Sequence, residues 1–304
     1  MIIEKIKYNL LLNFFRKKKK LLWTLTNHLF ENSISTPSIS VLNLSADTTF
    51  GKKNEKIFVR NDSYLTWYII NDKNFYKSFV EKIRDLTDAN RNYTFVDIGA
   101  NTGLLTKALL NNLENINNSY LIEPDKDNLF CLQHNLSKYK NVHTFNFALD
   151  VHDGERKLFI DKNNKGNLSF NYEMMTPKEN KLSFMNSPNN YEIVVCKSVK
   201  NFFNEINNEN NNENKFIVKI DVQGHDETIF QEIPENILKN TKILIIEITP
   251  LASKNFNLDK FNSKLKIFSK FTNFEGDLLS HDEVNKLIKM KTGKESIDLI
   301  FINN

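Results

Sequence analysis

The strongest constraint on the fold is an alternation of short apolar runs with helical segments, which begins at Tyr93. Such runs are typical of parallel strands that are buried on both faces, because the connecting helices cover the sheet on each side. The predicted strands are Thr94–Ile98, Tyr120–Glu123, Val142–Asn146, Phe216–Val222, Ile243–Ile248 and Ile297–Ile302, and the predicted helices are Leu104–Leu113, Lys126–Tyr139 and Leu258–Phe268. Ser280 and Glu283 fit a capping box, which predicts a further helix through Met290. The pattern therefore predicts an α/β protein with a mostly parallel sheet.

The first predicted strand ends in the sequence DIGANTG, in which Asp97 precedes a turn that contains Gly99 and Gly103. In open α/β sheets, ligands bind beyond the carboxyl ends of the strands, and glycines there let the backbone approach a ligand closely. A dinucleotide site needs the spacing G-x-G-x-x-G, and the acid inside this turn would repel a pyrophosphate. The same acid would attract the ammonium and sulfonium groups of S-adenosylmethionine, which is therefore the predicted cofactor. The alternative is a tight strand-to-helix turn that binds no ligand.

A second acid, Glu123, ends the next predicted strand in the sequence IEP. An acid at this position can accept hydrogen bonds from both ribose hydroxyls of a nucleoside cofactor. Such charge-assisted hydrogen bonds contribute about 1.5 to 3 kcal/mol, so loss of Glu123 should weaken cofactor binding roughly ten- to a hundredfold. Glu123 alone could also be a solvated residue at a strand end. Its position one strand-helix unit after Asp97 favours the cofactor site.

Further polar side chains follow the predicted strand Phe216–Val222. Asp221 could bind the acceptor or a metal ion, or orient a neighbouring group. His225 could take a proton from an acceptor hydroxyl, since an ordinary histidine pKa near 6.5 suits a general base, or it could simply begin a helix. Glu247 could satisfy neighbouring donors or contribute, with Asp221, to a magnesium site. Two carboxylates are too few to assign a metal, and no metal site is predicted.

Taken together, these segments resemble the FkbM-type methyltransferase family. The matching segments are DIGANTG at Asp97–Gly103, IEP at Ile122–Pro124, the Asn135-containing helix DKDNLFCLQHNL and KIDVQGHD at Lys219–Asp226. They occur in the family's order, from about Tyr93 to Pro250. The resemblance implies a class I methyltransferase fold with a Rossmann-like, seven-stranded, mostly parallel sheet. It also implies S-adenosylmethionine as donor and a hydroxyl of a sugar, glycan or secondary metabolite as acceptor.

The resemblance also assigns roles to individual residues by position. The implied cofactor-binding residues are Asp97, Gly99, Asn101 and Gly103 at the methionine end, Glu123 at the ribose, and Asp125. His225 and Asp221 are the implied catalytic residues on the acceptor side. The family usually has glutamate where this chain has Gln223 and Asp226. No carboxylate role is therefore assigned to position 223.

Three other functions compete with this interpretation. A nucleic-acid methyltransferase is disfavoured for two reasons. The strand leads into DVQG at Asp221 and not into a Pro-Pro-aromatic turn, which would resemble the methylases of base amino groups, and no Pro-Cys nucleophile occurs. The net charge of +4 is also small for a chain of 304 residues. A non-catalytic protein that retains the fold is disfavoured by the intact acids. An NAD oxidoreductase is disfavoured by the glycine spacing.

Residues 1–75 are predicted to form a basic N-terminal accessory leader, and residues 76–304 the S-adenosylmethionine-binding domain. The run Arg16–Lys20 is most often a solvated helix face. Because apolar residues flank it, residues 1–30 could instead contact an anionic membrane.

Two cysteines, Cys131 and Cys196, lie in different segments without further ligands at zinc spacing. We therefore expect a cytoplasmic protein, with possible peripheral contact at the inner face of the membrane. No nucleic-acid partner is expected. Contacts with the acceptor are predicted in Asp161–Tyr191, a long segment between predicted strands.

Overall fold

The computed structural model describes residues 39–44, 46–60, 63–72, 74–161, 167–175, 188–210, 214–248, 256–289 and 296–303. The strands are β1 Ile39–Asn43, β2 Lys56–Arg60, β3 Tyr93–Ile98, β4 Ile116–Ile122, β5 Val142–Phe145, β6 Ala148–Asp150, β7 Gly154–Ile160, β8 Leu168–Ser169, β9 Tyr191–Ser198, β10 Lys215–Ile220, β11 Thr241–Ile248, β12 Lys270–Asn273, β13 Leu278–Leu279 and β14 Ile297–Ile302. The helices are α1 Tyr64–Asn71, α2 Lys77–Leu86, α3 Leu104–Asn112, α4 Lys126–Leu136, α5 Tyr172–Met175, α6 Val199–Glu209, α7 Asp226–Glu232, α8 Glu235–Lys239, α9 Leu258–Leu265 and α10 His281–Lys289.

The central sheet has the order β13-β12-β14-β11-β10-β3-β4-β5. Strands β11, β10, β3, β4 and β5 are parallel neighbours, whereas β14 pairs antiparallel with both β11 and β12. The predicted α/β class is confirmed, and every strand and helix predicted from the sequence is present. The strand Ile297–Ile302 has the predicted ends, and the ends of the other elements differ by up to four residues.

The expected number of strands is wrong, because the described residues form a mixed sheet of eight strands instead of seven. The extra edge strand β13 forms a hairpin with β12. Asn273 closes its turn by accepting hydrogen bonds from the backbone N–H groups of Gly276 and Asp277, and Gly276 has a φ of 99°.

Side chains that alternate along the strands place a hydrophobic core on each face of the central sheet. On one face, residues such as Val218, Leu244 and Phe301 pack with helices α6 to α10. On the other face, Phe95 and Ile217 belong to a cluster that includes residues of α2, α3 and the β1–β2 hairpin. The sheet is therefore covered on both sides, as its apolar strands predict.

The β1–β2 hairpin is attached to α4 by the side chain of Asn135. Its Oδ1 accepts from the N–H of Phe58 at 2.7 Å, and its Nδ2 donates to the carbonyls of Phe58 and Thr102, each at 2.8 Å. Lys107 Nζ lies 2.6 Å from Glu55 Oε1 beside this contact. Part of the segment predicted as a leader thus packs on the domain, while residues 1–38 lie outside the described residues.

A second sheet, with the order β6-β9-β7-β8, follows β5 in the chain. The sequence did not predict it. It brings Ala148, Leu149, Leu158, Leu168 and Phe170 to the cavity described below. Within the described part of the chain, no helix is long and apolar enough to cross a membrane.

Candidate functional site

A cavity of about 410 Å³ lies where the parallel strands β3, β4 and β10 end. Six of the eight residues predicted from the sequence line it: Asp97, Gly99, Asn101, Glu123, Asp221 and His225. Its apolar wall includes Leu65, Tyr76 and Phe79, which precede β3 and were not predicted. The site therefore lies at the sheet edge where the sequence placed it.

Gly99 forms the turn after β3 with a φ of 80°. Its N–H donates to the carbonyl of Ile122 at 3.0 Å. A Cβ atom at this position would lie 2.0 Å from the backbone oxygen of Asp221, so only glycine fits between the ends of β3 and β10.

Asp97 is fully buried, and both of its carboxylate oxygens have partners. Thr106 donates to Oδ2 at 2.8 Å, and Lys219 Nζ lies 3.2 Å from Oδ1. Lys219 also lies 3.3 Å from Asp221 Oδ2, and it donates to the carbonyl of Gly99 at 3.4 Å. Although burial lowers the pKa of Lys219, the charges of Asp221 and Asp97 raise it to well above its ordinary value. One lysine therefore holds two carboxylates in place and neutralises part of their charge.

Sequence reasoning missed Lys219. The available signal was a lysine inside the apolar strand sequence KFIVKI, where a buried cation needs a carboxylate partner.

Glu123 is almost completely buried at the end of β4. The backbone N–H of Asn101 donates to its Oε2 at 2.8 Å, and that of Asp125 donates to Oε1 at 2.9 Å. Burial and the charge of Asp125 raise the pKa of Glu123 to about 7. The side-chain amide of Asn128 also donates to Oε1, at 3.4 Å. Oε2 accepts only the Asn101 N–H among the described contacts, so it keeps acceptor capacity for a ligand hydroxyl.

Gly103 and Asp125 do not line the cavity. Gly103, with a φ of 73°, begins α3 against α4, where a Cβ would lie 3.0 Å from Leu132. Asp125 accepts the N–H of Asn128 at the start of α4 and pairs with Arg60 at 2.6 Å. The structure thus places Gly103 in the contact between α3 and α4, and Asp125 behind the cavity wall, where its N–H supports Glu123.

Asp221 presents a carboxylate to the cavity with its side chain 40% exposed. The amide of Gln223 donates to Asp221 Oδ1 at 3.0 Å and to Glu247 Oε2 at 3.1 Å. An amide donor therefore sits between the two carboxylates that the sequence considered for magnesium. Among the described residues, no three His, Cys, Asp or Glu side chains are arranged to hold a metal ion.

His225 directly precedes α7, and its ring is 2% exposed. Its Nε2 lies 2.9 Å from Oδ1 of Asp150, a residue of β6 that sequence reasoning did not identify. No sequence signal marked Asp150, because the strand that carries it has only three residues.

The cavity fits S-adenosylmethionine in volume and in chemistry. Protein sites for small ligands commonly enclose roughly 300 to 1,000 Å³. Asp97, Glu123 and Asp221 outnumber Lys219, so the ionised cavity is net negative, which suits sulfonium and ammonium groups. Next to Glu123, Oδ1 of the buried Asn128 has no hydrogen-bond partner in the described structure, so it is available to a ligand donor.

Only part of the predicted acceptor segment is described. Leu168 and Phe170 line the cavity, as expected. Residues 162–166 and 176–187, and the side chains of Met174 and Met175, lie outside the described residues.

Comparison with known proteins identifies a family. Residues 97–289 match the family described as methyltransferase FkbM domain. No curated protein sequence matches the chain.

Several solved structures are similar at low identity. Methyltransferase FkbM from Methylobacillus flagellatus KT is 13% identical, with a TM-score of 0.34, over 69% of this chain and 43% of that one. Precorrin-6y C5,15-methyltransferase from Geobacter metallireducens GS-15 is 10% identical, with a TM-score of 0.32, over 74% of this chain and 88% of that one. A SAM-dependent methyltransferase from Agrobacterium tumefaciens is 7% identical, with a TM-score of 0.36, over 89% and 71%. The match thus spans less than half of the Methylobacillus protein.

Proposed function

The chain belongs to the FkbM family of S-adenosylmethionine-dependent methyltransferases, and we propose that it methylates a hydroxyl oxygen of a sugar, a glycan or a secondary metabolite. The observation that carries this proposal is the carboxylate of Asp221, which faces the cavity beside the Gly99 turn. A hydroxyl that attacks the methyl carbon must be held in line, and this carboxylate can accept a hydrogen bond from it.

The donor would lie along the ends of β3 and β4. When bound, S-adenosylmethionine supplies a methyl group on a sulfonium centre, and the electron pair of the broken carbon–sulfur bond stays on sulfur. Glu123 accepts the ribose hydroxyls, and the buried Asn128 offers a further acceptor next to it. The Gly99 turn allows the backbone to approach the ligand closely.

The acceptor hydroxyl would be oriented by Asp221 and deprotonated by His225. Lys219 and Gln223 hold the Asp221 carboxylate from two sides, which leaves lone pairs for the hydroxyl. Alignment of well-oriented groups can contribute on the order of 7 to 11 kcal/mol to the lowering of the barrier, against roughly 3 to 5 kcal/mol for a positioned base. Most of the acceleration therefore comes from holding the hydroxyl in line.

A nucleic-acid acceptor is the second candidate, and the charge of the cavity argues against it. Nucleic-acid binding depends on lysine and arginine side chains that neutralise phosphates. Here Asp221 and Asp298 both line the cavity, and Lys219 is already paired with two carboxylates, Asp97 and Asp221. A steeply salt-dependent affinity for RNA would favour this alternative.

A methyl-transfer assay tests the proposal. The full chain is incubated with methyl-labelled S-adenosylmethionine and a panel of monosaccharides, oligosaccharides and polyhydroxylated metabolites, and the products are analysed by mass spectrometry. We expect an alkali-stable methyl ether from at least one compound. Asp221→Asn should lower its rate of formation roughly 10²-fold, because a neutral amide holds the attacking hydroxyl in line less well. Transfer only to RNA, or to amines, would reject hydroxyl methylation.

We further propose a cytoplasmic location with peripheral membrane contact through residues 1–30. The support is the basic run Arg16–Lys20, which has apolar residues on both sides. Each cation near an anionic membrane surface contributes about 1 kcal/mol to the free energy of binding. Sedimentation with phosphatidylserine vesicles should decrease when residues 1–30 are removed. Equal sedimentation of both chains would reject the contact.

A further inference from the structure

Asp150 links the small sheet to the loop that follows β10. Its Oδ1 lies 2.9 Å from His225 Nε2 and also accepts the N–H of Val151 at 2.8 Å. Its Oδ2 accepts from Nη1 of Arg156 at 2.8 Å. A second contact runs parallel to it, because the hydroxyl of Ser169 donates to the carbonyl of Gln223 at 2.6 Å.

Asp150 must act as an acceptor toward His225. Burial alone would raise the pKa of Asp150, but hydrogen bonds from His225 and Arg156 lower it to well below its ordinary range. An ionised carboxylate has no proton to donate. In neutral His225 the proton therefore resides on Nε2, and Nδ1 carries the lone pair.

The Nδ1 atom of His225 is buried and has no hydrogen-bond partner in the part of the chain that is described. Phe170 packs edge-on against the imidazole, with 5.3 Å between the ring centroids, and both side chains line the cavity. Arg156 covers the Phe170 ring at 4.3 Å. A buried lone pair without a donor is costly, so it marks a position for a ligand donor that the resting protein does not supply.

We propose that Asp150 is a positioning residue, which fixes His225 as the tautomer whose Nδ1 takes the proton of the acceptor hydroxyl. This inference rests on the proposed hydroxyl methylation. The oxygen bonds to the methyl carbon as the carbon–sulfur bond breaks, the electron pair stays on sulfur, and the hydroxyl proton passes to Nδ1. The imidazolium that forms is stabilised by the Asp150 carboxylate. Nδ1 is enclosed in the resting protein, so the hydroxyl reaches it only if a neighbouring side chain, such as that of Phe170, moves.

The tautomer can be measured without an acceptor. In protein labelled with ¹⁵N-histidine and saturated with S-adenosylhomocysteine, two-bond ¹H–¹⁵N correlations distinguish the nitrogen that carries the proton. His225→Gln assigns the signal among the six histidines. We expect protonation at Nε2 in the wild type and in Arg156→Gln, which keeps the carboxylate. Asp150→Asn should shift the proton to Nδ1 or give a mixture.

Kinetics then test whether the tautomer matters. With an acceptor from the panel, Asp150→Asn should lower kcat roughly 10²- to 10⁴-fold without changing KM or the affinity for S-adenosylhomocysteine. Glu155→Gln, which neutralises an exposed carboxylate on the same sheet, is the control and should match the wild type.

Three results would overturn the inference: a proton on Nδ1 in the wild type, an unchanged tautomer in Asp150→Asn, or a changed tautomer with unchanged kcat. If the panel yields no methyl ether, the proposed function fails. The tautomer measurement then still decides whether Asp150 sets the state of His225.

Discussion

Glu123, the acid proposed to bind the ribose, combines two properties that such a role must balance. Its side chain is almost completely buried, and backbone N–H groups hold its carboxylate in place. The same burial, together with the charge of Asp125, raises its pKa to about 7, so Glu123 is only partly ionised at neutral pH.

The affinity for adenosine should therefore rise with pH. In the proposed complex the ribose hydroxyls would donate to the ionised Glu123, so binding would favour the deprotonated form. With a pKa near 7, the ionised fraction grows about tenfold between pH 6 and pH 8, and the apparent Kd should fall by a similar factor. Adenosine carries no charge in this range, which makes it the appropriate probe for calorimetry. In Glu123→Gln the pH dependence should disappear, and its persistence would assign it to another group.

The candidate site was predicted unevenly from the sequence. Strand ends and glycines have local signatures, and Asp97, Glu123 and Asp221 were placed at the correct edge. Lys219 and Asp150 were missed because their importance depends on partners distant in sequence, such as Asp97 and His225. Whether any of these residues binds a ligand stays a prediction.

At the scale of elements, the turn at Gly99 packs the end of β3 closely against the residue that follows β10. Gly99→Ala would combine a positive φ with a Cβ placed 2.0 Å from the carbonyl oxygen of Asp221. Gly154→Ala is the matched control, because Gly154 also has a positive φ but no atom lies within 4 Å of a Cβ there.

Thermal unfolding should show a much larger loss of stability for Gly99→Ala than for Gly154→Ala. The backbone strain shared by both variants costs about 1 to 2 kcal/mol, and the close contact adds to it only at position 99. Equal losses of stability in the two variants would show that the turn after β3 can move away from Asp221 at no cost in free energy.

The contact between α4 and the β1–β2 hairpin depends on Asn135. Asn135→Ala removes three short hydrogen bonds, two to the half-buried backbone of Phe58 and one to the buried carbonyl of Thr102. We expect a loss of about 2 to 4 kcal/mol in urea unfolding. Gln133→Ala removes an exposed amide from the same helix and should change stability by less than about 0.5 kcal/mol. A small loss for Asn135→Ala would mean that the hairpin is held by its apolar contacts alone.

The elements that sequence reasoning missed are short or lack a clear pattern. β6 has three residues and β8 has two, too few for an alternation to be recognised. β9 is longer, but Ile193 and Val195 are exposed, so its apolar residues do not mark a single buried face. Long apolar strands such as β11 were predicted because burial on both faces dictates their composition.

At the scale of the whole molecule, acidic groups around the cavity should make stability depend on pH. Burial and the charge of Asp221 raise the pKa of Glu247 above its ordinary value, and burial and the charge of Glu227 raise that of Asp226. A carboxyl with a raised pKa binds more protons in the folded state than in the unfolded state. Its stabilising contribution is complete below the unfolded pKa and is lost as pH rises through the folded pKa.

The free energy of unfolding should therefore fall between pH 5 and pH 8, by at most about 1.4 kcal/mol per pH unit for each proton released. Urea unfolding at several pH values measures this slope. Glu247→Gln should reduce it, whereas Glu192→Gln, at an exposed position of β9, should leave it unchanged. A stability that rises across this range would contradict the assigned protonation states.

The central claim is that the cavity at the ends of β3, β4 and β10 binds the methyl donor, and calorimetric titration with S-adenosylmethionine tests it most directly. We expect the wild type to bind, Glu123→Ala to bind roughly ten- to a hundredfold more weakly, and the control Glu192→Ala to match the wild type. Thermal unfolding confirms that each variant is folded. A folded wild type that does not bind, or a Glu123→Ala variant that binds equally well, would contradict the claim.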